Sequence, residues 1–183
     1  QAAYTEANVS IDLKAGGSVE QWKLWGSYGL NERPGDVLGR MLSCCDATLS
    51  PTRDGGIGLK ILNWAEPEIV IDETMITGFA DLTRGRDIAT TANVISATYL
   101  SPDHDYQSTE AQAWFDDDDV AARGEIELST GFPMAPNHSQ CRRLMKRTAY
   151  RANPNWRGAF EVNPKGIAAF GERMIRIRYP LFG

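Results

Sequence analysis

Apolar residues recur along this chain in two rhythms. Over residues 4–14 they alternate, with Val9, Ile11 and Leu13 on one side, as a half-buried strand requires. Gly16-Gly17 supplies a turn, and residues 19–28 read as a second strand that ends near Gly29. Pro34 suits a helix start, where its missing N–H does no harm. Val37, Leu38, Met41, Leu42 and Cys45 then fall on one stripe, predicting an amphipathic helix over about 34–47 that needs a sheet to cover it. Asp54-Gly55-Gly56, between residues 48–52 and 57–62, predicts a hairpin.

Beyond Pro67, residues 68–71 form a short apolar strand, and 74–78 read as a helical turn or an extended connector. Residues 93–100 alternate well: Val94, Ser96, Thr98 and Leu100 point one way, Ile95, Ala97 and Tyr99 the other. Ser101-Pro102-Asp103 ends that strand, and 107–115 returns antiparallel. The four aspartates at 116–119 suit a loop or a helix start, and 125–128 a short strand. Asn137 is a good N-cap for a second helix over 138–152, which Asn153-Pro154 stops. Its apolar stripe is Cys141, Leu144, Met145, Thr148, Ala149 and Ala152, with Arg142, Arg143, Lys146, Arg147 and Arg151 mostly opposite. Strands over 157–162 and 173–179 follow; in the second, Ile175, Ile177 and Tyr179 share one face and Arg176 and Arg178 the other.

These elements predict an α+β fold, mostly antiparallel strands with two amphipathic helices. They suggest one subdomain over 1–92, with helix 34–47 and the hairpin around 54–57, and a β-rich one over 93–183 with helix 138–152. The 183 residues can bury a core, and 42% hydrophobic with 23% charged residues excludes wholesale disorder. No apolar run approaches the roughly 18 residues of a membrane-spanning helix. The chain opens on Gln1 without a leader and stops at Gly183 straight after a strand, which suggests a piece excised from a longer protein.

Charge is unevenly spread. Residues 131–183 hold ten Lys/Arg against Glu161 and Glu172, whereas residues 101–130 hold nine acids against Arg123. Such polarity suits a nucleic-acid surface, two solvated faces, or acidic and basic surfaces meeting within or between subunits. The basic helix lacks the interleaved aromatics of a nucleic-acid binder.

Local chemistry is sparse. Three cysteines are too few for a disulfide framework, and a reducing compartment fits them. Cys44, Cys45 and Cys141 read as small hydrophobes on helix faces, with His138 badly oriented to activate Cys141. Two histidines exclude a histidine-rich metal site, and Asp103-His104-Asp105 reads as an acidic cap after a strand. The aspartate run lacks the spaced ligands and glycine turn of a calcium loop. Gly55-Gly56-Ile57-Gly58 lies in a hairpin, with no following helix to make a phosphate loop. Trp22, Trp25, Trp64, Trp114 and Trp156 are scattered over different elements, and read as core or subunit packing. No catalytic, metal-ligating or cofactor-binding set emerges.

Three stretches together resemble a known family. They are Trp22-Lys23-Leu24-Trp25-Gly26 with Pro34-Gly35-Asp36-Val37-Leu38, Met41-Leu42 and Cys45-Asp46-Ala47; then Asn93-Val94-Ile95-Ser96-Ala97-Thr98-Tyr99 with Ser101-Pro102-Asp103 and Asp105-Tyr106-Gln107; then Ser139-Gln140-Cys141-Arg142-Arg143-Leu144 with Lys146-Arg147. Their order over residues 20–180 resembles a segment of the tail tip (hub) proteins of long-tailed phages. The third looks like that family's Gln-Ala-x-Arg-Leu-Ala-Lys helix, with Cys141 in place of the usual Ala.

The resemblance implies a structural protein of the virion tail, made in the bacterial host cytoplasm. Its partners would be other tail proteins and its own copies, usually in a trimeric ring joining the tail tube to baseplate or fibres. It carries over no catalytic residue and no cofactor, and implies no sequence-specific nucleic acid. Closed rings use heterologous contacts between unlike patches. The candidate interface residues are therefore Arg142, Arg143, Lys146 and Arg147 on the basic helix, and Arg176, Arg178 and Tyr179 on the last strand. Two rivals remain: a nucleic-acid-binding module using helix 138–152, and a tail-associated cell-wall hydrolase with two opposed carboxylates.

Overall fold

The computed structural model of the chain describes residues 2–52, 54–85 and 91–182. In chain order the elements are α1 (Ala2–Ala7), β1 (Ser10–Asp12), β2 (Ser18–Glu20), α2 (Pro34–Cys44), β3 (Ala47–Pro51), β4 (Ile57–Ile61), β5 (Val70–Asp72) and β6 (Ile76–Arg84). There follow β7 (Val94–Ser101), β8 (Gln107–Phe115), α3 (Asp117–Arg123), β9 (Glu127–Phe132), α4 (His138–Ala152), β10 (Trp156–Val162) and β11 (Arg176–Arg178). The fold is α+β. Among the described residues no helix is long and apolar enough to cross a membrane.

Two compact units form, each from two separated stretches: residues 1–47 with 87–153, and 48–86 with 154–183. This differs from a sequential cut at 92/93, because β10 pairs with β6 and β11 with β5 across that cut.

In the first unit, β7 lies at the centre of a three-stranded sheet, antiparallel to β8 and parallel to β9. The residues at 95, 97, 99 and 101 of β7 are all buried, and α4 packs on the sheet with Cys141, Leu144, Met145 and Ala149 buried. The parallel return of β9 is set by Asn93, fully buried: its Nδ2 donates to Gly124 O at 2.8 Å and its Oδ1 accepts from Ile126 N at 2.7 Å. The aspartates start α3, where Asp116 accepts from Asp119 N and the other three fill the first turn, a favourable end of the helix dipole.

Several elements depart from the sequence pattern. Residues 4–7 are helical, within α1, and only Ser10–Asp12 keeps the predicted strand. The strand expected over 19–28 stops at Glu20, because the next backbone groups bond elsewhere: Trp22 N to Ala7 O, Lys23 N to Gln140 Oε1, Trp25 N to Met134 O. Helix α2 ends at Cys44, and its buried positions are Val37 and Cys44, two turns apart, rather than a stripe reaching Cys45.

The second unit is built of pairs: β3 with β4 across the Asp54-Gly55-Gly56 turn, β6 antiparallel to β10, and β5 parallel to β11. Of the helical turn or extended connector expected over 74–78, residues 76–78 are the beginning of the nine-residue β6. That strand is bulged, with Asp81 in the left-handed region at φ 51° and the register shifting between Arg157 and Ala159. Gly158 sits at this shift, where an added Cβ would stand 2.8 Å from Leu82 Cα and 3.1 Å from Asp81 O. Backbone cannot yield as a side chain can. Gly158→Ala is therefore expected to destabilise the chain by about 1–3 kcal/mol in a urea titration, whereas Gly35→Ala, with open space around it, should not.

Candidate functional site

Helix α4 carries the densest group of candidate residues, and most of its cations turn onto the chain itself. Asn137 caps it, its Oδ1 accepting from Gln140 N at 2.7 Å. Arg142 reaches the β8 backbone, donating to the carbonyls of Gln112 and Ala113 at 2.7 and 2.8 Å, which occupies acceptors on a sheet edge. Arg143 donates to Ser139 Oγ and Gln21 O, and lies 5.5 Å from the centre of the buried Trp22 ring. Arg147 lies 5.3 Å from the same ring and donates to Asp46, as does Arg151 one turn later. Lys146 points outward over the Tyr150 ring at 5.8 Å.

Asp46 is the centre of this arrangement. Its side chain is only 1% exposed, and its φ of 51° turns the chain sharply after α2. Burial, followed by the charge of Arg147, lowers the pKa of Arg143 from its ordinary value. Gln140, fully buried, ties three segments: Nε2 donates to Lys23 O at 2.8 Å and Cys44 O at 2.7 Å, and Oε1 accepts from Lys23 N at 3.0 Å. Sequence reasoning gave Asp46 and Gln140 no role of their own and read Trp22 only as packing. Neither spacing nor composition marks them, since their partners lie about a hundred residues away.

The remaining candidates sit in the second unit. Arg176 donates to Glu66, Arg178 is exposed at the register position of Asp72, and Tyr179 packs edge-on against Phe79 at 5.0 Å. Hydrogen bonds from Thr74, with a smaller contribution from Lys165, hold Asp72 below the usual carboxylate range. The structure thus gathers Arg143 and Arg147 around Trp22 and places Arg176, Arg178 and Tyr179 in the other unit. The charge contrast of the sequence is largely neutralised: the first unit holds sixteen acids and ten Lys/Arg, the second eight and nine, for −6 and +1.

Other candidate chemistry resolves locally. His104 Nδ1 meets Ser101 Oγ at 2.9 Å inside the β7–β8 turn. Among the described residues no group of three His, Cys, Asp or Glu could hold a metal ion. Cys44 and Cys141 are fully buried, and desolvation raises both thiols, Cys141 to about 12. Their contribution to stability is complete below the ordinary thiol value near 9 and falls as pH rises above it, for Cys141 through about 12. A disulfide reagent at pH 8 should accordingly leave these two thiols unmodified in the folded chain and modify all three cysteines in 6 M guanidinium.

Large apolar side chains remain outside. A groove of about 360 Å³ is lined by Tyr28, Leu30, Pro34, Val37, Leu38 and Met41, and Leu30 is 98% exposed. In the second unit Ile57, Trp64 (72%) and Ile167 are exposed, while among its described large apolar residues only Ile61 and Ile71 are buried. Of the five tryptophans only Trp22 is buried, so core packing accounts for one of them. No protein-family model matches the chain, and no curated protein matches it.

Proposed function

We propose that the chain is a structural component of the tail tip or hub of a long-tailed phage. It works without catalysis or cofactor, assembling with its own copies, as a trimer, and with other tail proteins into a ring that joins tail tube to baseplate or fibres and takes part in DNA delivery. The observation that carries this reading is the apolar surface left uncovered. Leu30, Ile57, Trp64 and Ile167 stand in solvent, and fully burying such a side chain is worth about 1.5–3 kcal/mol. The second unit consists of two-stranded pairs, which are marginal until something packs on them. Both features suit a chain completed by neighbouring protein. The three stretches that resemble tail tip proteins point the same way.

A nucleic-acid module on α4 is disfavoured, because Arg142, Arg143, Arg147 and Arg151 donate to groups of the chain itself. The test is location. Particles from a host carrying the gene should bind gold-labelled antibody against residues 1–183 at the tail end distal to the head. Labelling elsewhere, or purified particles without the chain by mass spectrometry, overturns the reading.

A further inference from the structure

We propose that, independently of any place in a tail, the cleft beside the β7–β8 turn binds a cationic side chain, arginine or lysine, presented by a partner protein. The cleft holds about 570 Å³ and is lined by Leu24, Trp25, Ser27, Leu100, Tyr106 and Pro133, all in the first unit. Trp25 and Tyr106 form its aromatic wall, their centroids 6.0 Å apart and their planes tilted by 36°. They are 44% and 56% exposed, so a cation can come within the roughly 6 Å of a ring centre at which the ring quadrupole attracts it.

Tyr106 is held there against its own backbone preference. Asp105 and Tyr106 are consecutive non-glycine residues in the left-handed region, at φ 52° and 58°. A bulky residue is rare in that conformation, and glycine or asparagine would make the same turn with less strain. The turn is closed by Tyr106 N donating to Ser101 O at 2.9 Å and by the Ser101–His104 contact. A turn that keeps tyrosine at this position keeps its ring at a cost, which is how strain marks functional positions.

Charge selects the ligand. The first unit carries −6. Asp103 and Asp105 are exposed in the very turn that presents Tyr106. Aromatic faces presented by a turn that also carries two exposed carboxylates attract a guanidinium or ammonium, whereas a neutral sugar would gain only the stacking.

The test is fluorescence anisotropy of a fluorescein-labelled Gly-Arg-Gly-Arg-Gly peptide titrated with the chain. Saturable binding is expected, at least tenfold weaker for Tyr106→Gly, which removes the ring while easing the backbone so that folding is retained. The Asp103→Asn/Asp105→Asn variant should weaken it similarly, Asp117→Asn/Asp118→Asn should leave it unchanged, and the citrulline peptide should not bind. No binding of the arginine peptide, equal loss on changing the α3 aspartates, or binding of a neutral oligosaccharide in its place overturns the proposal.

Discussion

Asp46→Asn is expected to destabilise the chain by about 1–3 kcal/mol, less than breaking a fully buried ion pair costs, because Arg147 and Arg151 keep 27% and 52% of their side chains exposed. Asparagine tolerates the left-handed φ of 51° as aspartate does, so the substitution isolates the charge from the backbone. It removes the carboxylate that Arg147 and Arg151 share, and the half-buried Arg143 already loses affinity for its proton through desolvation and the charge of Arg147. Arg151 is half exposed and contributes less to the pair than Arg147, because water screens it. Arg147→Met added to Asp46→Asn should therefore recover part of the loss. Urea titration of the two single variants and the double variant checks both statements, and a single-variant cost under about 0.5 kcal/mol would remove Asp46 from the centre of the unit.

Gln140→Leu should have a comparable effect, about 3 kcal/mol, by a different route. The side chain volume is nearly conserved, yet Lys23 N, Lys23 O and Cys44 O all lose their partner, and an unmet buried polar group costs roughly 1–3 kcal/mol. The segment around Lys23 has no strand ladder to fall back on, so its loosening should appear first in hydrogen exchange of residues 21–25, ahead of global unfolding. Gln140→Glu should be worse at neutral pH, since a carboxylate would face the carbonyls of Lys23 and Cys44. Protection of 21–25 equal to the parent chain in either variant would show that the segment is held by other means.

What could be read from the sequence is what local physics decides. Helix α4 and its Asn137 cap, the α2 start at Pro34, and the β7–β8 pair follow from periodicity and turn chemistry alone. Strand β6 escaped, because the bulge at Asp81 interrupts its alternation, and α1 escaped because Val9 and Ile11 continue an apparent alternation from a helical start. The site was legible only in part. The basic row on α4 was visible, but where its guanidinium groups point depends on Asp46, Gln21 and the β8 carbonyls, each distant in sequence. Charge counted along the chain therefore suggested a strongly basic end, where the folded chain has one acidic and one nearly neutral unit.

The interleaved make-up of the two units bears on how the chain is born. A ribosome delivers β5 and β6 well before β11 and β10 exist, and delivers α2 and Asp46 about a hundred residues ahead of the helix that neutralises them. Neither unit can close until its second stretch has been made. Until then the nascent chain carries unpaired strand edges, the kind of surface that leaves an incomplete fold open to misassembly.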